Sequence, residues 1–127
     1  MFRSGRLLWP MLLVLGAEAC ATDAEYDWLR LTKTSWSPAG YETYVGSDQI
    51  ELPAGIVQEV EAKVEYKGSR YLIGSYVELS SQNDYIFSVF SMGKKNEFLL
   101  VGRTRGQTCM DVTVNGEWEE CIDVAVE

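Results

Sequence analysis

Three cysteines, nineteen carboxylates and no histidine set the chemistry open to this chain of 127 residues. Without histidine there is neither the commonest general base nor the commonest transition-metal ligand. The many serines and threonines therefore have no imidazole to activate them as nucleophiles. Paired carboxylates can do acid–base work on glycosidic bonds, but so short a chain offers little cleft. Gly68, Gly93 and Gly106 are isolated and make no phosphate-cradling loop. The expectation is a protein that is not an enzyme, with no cofactor and no resident metal.

Cys20 stands far from Cys109 and Cys121 and closes an N-terminal stretch of three zones. Arg3 and Arg6 come first without an acid, then an apolar run at 7–15, then the small residues of Ala17-Glu18-Ala19-Cys20-Ala21. That order is the pattern of a secretory signal peptide. Residues 1–21 are thus expected to be a signal, cleaved near 19–21, and residues 22–127 a single β-rich domain. The apolar run is about half the ~20 residues a membrane-spanning helix needs, and Pro10 further disfavours a permanent helix. Ala17-Glu18-Ala19 and Ala19-Cys20-Ala21 both fit cleavage after a small residue. The alternative is that Cys20 carries a lipid, since the segment resembles the lipobox of bacterial lipoproteins. Ala17 and Glu18 depart from that pattern, which prefers Leu and then a small uncharged residue. With Cys20 lipidated or removed, Cys109 and Cys121 remain as a pair for an oxidising compartment.

Residues 22–127 hold 9 basic and 18 acidic residues, a net charge of −9 over 106 residues. Such a surface repels the phosphates of nucleic acid and anionic lipid alike. Contact with a membrane is therefore expected only through an anchor at Cys20. The charge favours cationic partners and solubility.

Positioning falls to strands. Val60, Ala62, Val64 and Tyr66 alternate with charged residues up to Gly68-Ser69, a pair suited to a type II′ turn. That turn predicts Val64 opposite Ile73, Ala62 opposite Ser75 and Val60 opposite Val77, with every apolar residue on one face. Near the C-terminus, strands at 107–114 and 117–126 flank Asn115-Gly116. A two-residue turn sets Val112 opposite Glu119, on mismatched faces. A three-residue loop ending in a Gly116 bulge sets Val112 opposite Trp118, Asp111 opposite Glu119 and Cys109 opposite Cys121. Directly opposed Cα atoms lie ~4.5–5.5 Å apart, within disulfide reach, so a Cys109–Cys121 bond is predicted on the outward, acidic face. Two more strands at 85–91 and 97–105 flank Met92-Gly93-Lys94-Lys95-Asn96, the first of them apolar on both faces as befits a central strand or a binding patch. Shorter strands are expected at 28–33, 41–45 and 49–52, and no helix, repeat or linker. About seven or eight strands in one domain imply an all-β fold, a small antiparallel sandwich of immunoglobulin-like size or a small barrel.

The candidate contact residues follow. Asp111 and Glu119, with Glu117 and Asp123 on the same face, form an acidic patch. It lacks the dense loop spacing of a calcium site. Trp36, Tyr41 and Tyr44 sit among turn residues, where aromatic rings can stack on sugars or proteins. Tyr76 falls on a polar face of its strand. Together these predict an exported binding module for a protein or glycan at the cell envelope, in the periplasm or outside the cell. The competing readings are a lipid-anchored structural component of the bacterial envelope and an inhibitor of an exported hydrolase.

Overall fold

The computed structural model describes residues 25–36, 41–67 and 75–127. The segment expected to be a signal, with Cys20, and the expected Gly68-Ser69 turn with the Val64–Ile73 pairing lie outside the described residues. Nine strands are described: β1 (Glu25–Lys33), β2 (Tyr44–Val45), β3 (Gln49–Leu52), β4 (Val57–Lys67), β5 (Val77–Ser81), β6 (Phe87–Ser91), β7 (Glu97–Gly102), β8 (Gly106–Val114) and β9 (Glu117–Val126). They form a sheet ordered β1-β4-β7-β6 and a second ordered β2-β3-β9-β8-β5. Every pairing is antiparallel except that of β3 with β9. The face-to-face trios β4-β7-β6 and β9-β8-β5 have the Greek-key order of an immunoglobulin-like sandwich. The expected small all-β sandwich is therefore what the chain forms.

Period-two patterning builds the core. Leu29, Leu31, Val60, Ala62, Phe87, Phe98 and Leu100 face inward from the first sheet. Ile50, Leu52, Val77, Leu79, Met110, Val112, Val114, Ile122, Val124 and Val126 meet them from the second. Phe87 is wholly buried opposite Gly102. A side chain at Gly102 would lie 2.5 Å from the Pro53 carbonyl oxygen, so only glycine fits that ladder position.

Three expectations are corrected. The first concerns β5, because Val60 does not face Val77. β4 is flanked by β1 on one side and by β7 on the other from Val57 to Glu61, and β5 pairs with β8 in the opposite sheet. The Ala62 amide likewise bonds the Asn96 carbonyl rather than Ser75. Second, β6, expected as a central strand or a binding patch, is an edge strand, which corrects the first of those alternatives. Its residues Phe87 and Val89 face the core side, while Phe90 is exposed.

Third, the β8–β9 register is different. Asn115 and Gly116 form a two-residue turn, both in the left-handed region (φ 51° and 89°), with Val114 opposite Glu117. A bulge between Val112 and Thr113 then makes Glu119 the extra residue of β9 and brings the apolar faces into phase. Asp111 consequently opposes Cys121 and Cys109 opposes Asp123. The Cys109–Cys121 disulfide still forms, but on a diagonal, with its Cα atoms 5.5 Å apart. Strand twist brings one diagonal of an antiparallel ladder close enough for this.

Candidate binding surface

The best-built exposed group is Tyr76, the residue just before β5. Its ring is 52% exposed. Its backbone is held on both sides by asparagines from two hairpin turns. The Asn115 side-chain oxygen accepts the Tyr76 amide at 2.8 Å, and the Asn115 amide donates to the Tyr76 carbonyl at 2.8 Å. Asn96 straddles the same residue. Its side-chain nitrogen donates to the Ser75 carbonyl at 2.9 Å, and its side-chain oxygen accepts the Val77 amide at 2.9 Å. Both asparagines have positive φ, 61° for Asn96 and 51° for Asn115, a conformation asparagine adopts more readily than most residues. The two turns thus fix the backbone under Tyr76 and leave its ring in solvent.

Beside Tyr76 runs a groove of about 230 Å³ between the edge strand β5 and the loop joining β6 to β7. Val77, Leu79 and Phe98 form its apolar floor; Ser91, Asn96, Lys94, Lys95 and Glu78 form its rim. Lys94 and Lys95 are exposed and, among the described residues, in no ion pair; the salt bridge there joins Arg30 to Glu65.

The other predicted residues do not converge on this groove. Asp111 does not face Glu119. It accepts the Trp118 indole N–H at 2.8 Å and the Gln82 amide at 3.1 Å on the outer face of the second sheet. Trp118 is 61% exposed there, beside the disulfide strands. Glu119 is the bulge residue. Burial first, then the charges of Glu117 and Glu120, raise its carboxyl above the usual range. Tyr44 lies at the far edge of that sheet in β2, in a depression shared with Glu42, Glu51, Pro53 and Glu127. Trp36, 95% exposed, and Tyr41 flank residues outside the described set. Among the described residues, no group of three Asp, Glu, Cys or His side chains is placed to hold a metal.

Sequence reasoning singled out Tyr76 but missed the two clamps. An Asn-Gly pair and an Asn ending a Lys-Lys loop do signal left-handed turn positions. That both turns reach the same residue is a tertiary fact. Gln58 was missed too: an inward polar residue of β4, wholly buried. It accepts from the Thr43 hydroxyl at 2.8 Å and donates to the Ser35 carbonyl and hydroxyl at 3.0 Å each.

No protein-family model and no curated protein matches the chain. Among solved structures it is similar to the crystal structure of the S-layer protein SbsC domains 4 and 5, with a TM-score of 0.46 and 17% identity. The match covers 68% of this chain and 51% of that one. At that distance the likeness carries no functional information.

Proposed function

We propose that this chain is an exported, non-enzymatic β-domain that binds a protein partner through the groove at Tyr76. The observation that carries this reading is the pair of asparagines holding Tyr76 while its ring stays exposed. An aromatic side chain on a fixed backbone loses little entropy on binding, which is what interface anchors exploit. Export is supported by the Cys109–Cys121 bond, since disulfides persist in oxidising compartments, and by the signal pattern of residues 1–21.

The test is a photo-crosslinking amino acid placed at Tyr76 in the natively expressed protein, with the same group at Glu61 as control. A discrete adduct from position 76 and none from position 61 is expected, in a protein whose intact mass starts between residues 20 and 22. A full-length intracellular product, or equal adducts at both positions, overturns the reading.

A glycan ligand is the second reading. It is favoured by the exposed Trp118 ring, whose indole N–H is fixed on Asp111 beside a Gln82 amide with a further N–H to donate.

A further inference from the structure

The groove's chemistry specifies more than a partner class. Among the described residues β5 is an edge strand, paired with β8 alone. Tyr76 exchanges its backbone bonds with Asn115, and the Gln82 amide bonds the Cys109 carbonyl, so even-numbered residues turn toward β8. Alternation along an antiparallel strand then turns the amide and carbonyl of Val77 and Leu79 outward. Asn96 takes the Val77 amide. Among the described residues, the Leu79 amide and carbonyl have no strand partner on that side.

Three features therefore meet on one edge: a backbone ladder position open at Leu79, an apolar floor, and two unpaired lysines on a chain whose 22–127 segment carries a net −9. An unpaired strand edge recruits another strand. Lys94 and Lys95 outweigh the one carboxylate of that rim, Glu78, and so favour negative charge on what arrives, and Tyr76 gives it a ring to lie against.

We propose that the groove between β5 and the β6–β7 loop takes an extended acidic segment of a partner protein, added to β5 as a further strand. Backbone bonds to Leu79 hold the segment. Its acidic side chains meet Lys94 and Lys95, and its alternate apolar side chains rest on Val77 and Phe98. This deepens the binding function proposed above and rests on it.

The probe is a fluorescein-labelled decapeptide alternating Glu with Val, titrated with the intact domain and followed by anisotropy. Its Lys-Val counterpart and a copy N-methylated at alternate amides serve as controls. Saturable binding of the acidic peptide is expected, weakened at least tenfold by Tyr76→Ala, by Lys94→Glu with Lys95→Glu, and by N-methylation. Added salt should weaken it further. Equal binding of the basic peptide, or unchanged affinity in the lysine variant, overturns the proposal. So does a lack of binding at millimolar peptide, or a concentration-dependent dimer in sedimentation that the lysine variant abolishes; the latter assigns the edge to a second copy. A photo-adduct at position 76 together with failure of the acidic peptide removes the strand proposal and leaves the binding function standing.

Discussion

Side chains reach from one sheet to the other along both sides of the sandwich, but those on the β1–β2 side seal it, while the one on the β5–β6 side, Asn96, underlies exposed groups. On the first side Tyr26 of β1 donates its hydroxyl to Glu120 of β9, covering the stretch of β9 that the short β3 leaves unpaired. Further along, Gln58 ties Ser35 and Thr43 together across the passage of the chain from β1 to β2, and the Lys33 ammonium donates to the Thr43 carbonyl at 3.1 Å. A wholly buried amide persists because its donors and acceptor are all met. On the β5–β6 side Asn96 crosses from the β6–β7 loop to the backbone of Ser75 and Val77, and Asn115 bonds to the backbone of Tyr76, while Lys94, Lys95 and Tyr76 face water. One side spends its polar side chains on closure alone, and the other on closure and presentation.

The difference can be broken or sharpened by measurement, beginning with the largest effect. β5 hangs on β8, and β8 is tied to β9 by the Cys109–Cys121 bond. Replacing both cysteines by serine should cost about 3 kcal/mol on the chain-entropy model. Amide exchange should rise more in β5 than in β1; equal increases would show that the staple serves the whole fold and not the open side. Next, Gln58→Ala deletes the buried amide that joins Thr43 to Ser35 and leaves a cavity. A loss of about 2–3 kcal/mol in urea unfolding is expected, and a loss under 1 kcal/mol would mean that the β1–β2 side is not sealed by this amide.

Tyr26→Phe should cost about 1 kcal/mol and also carries a pH signature. Burial raises the pKa of the Tyr26 phenol well above its ordinary value, with the hydrogen bond to Glu120 and the nearby charges of Glu120, Glu119 and Asp27 acting in the same direction. In the unfolded chain that phenol loses its proton near pH 10, while in the folded chain it keeps it. The unfolded state then binds fewer protons, so this contribution is complete below pH 10 and is lost as the pH rises beyond it. The stability gap between wild type and Tyr26→Phe should narrow above pH 10; a constant gap refutes the assignment.

Much of this architecture was legible, and the failures share one cause. Alternation located β8 and β9 within a residue of their observed ends and found the Val60–Tyr66 run of β4, because a half-buried strand must alternate. What alternation determines is parity, not offset. A three-residue loop and a two-residue turn followed by a bulge at Glu119 differ by two residues in register, and both put Met110, Val112, Ile122 and Val124 on one face. The cysteines could not decide between them, since a twisted ladder bridges a diagonal as well as a direct pair. The same blindness misplaced β5: Val60 and Val77 both face the core, but from opposite sheets. Exposure of Tyr76 was readable from the polar face of its strand, whereas turn residues around Trp36, Tyr41 and Tyr44 left rim packing equally open. Their dispersal over the molecule was not readable, because it depends on which strands become neighbours.

The smallest effect on stability is the most telling one. Tyr76→Ala removes a half-exposed ring but none of the bonds that hold its backbone, since Asn96 and Asn115 contact main-chain atoms that alanine retains. Unfolding free energy should change by no more than about 0.5 kcal/mol, the range for surface substitutions. Binding of the acidic peptide should nonetheless fall at least tenfold. Asn115→Gly is the companion: glycine keeps the left-handed turn and the backbone bond but deletes the side-chain oxygen that accepts the Tyr76 amide, so it weakens binding by freeing the anchor without removing it. If Tyr76→Ala instead destabilises the domain as much as Gln58→Ala does, the ring is part of the packing, and the two sides of the sandwich are closed by the same means.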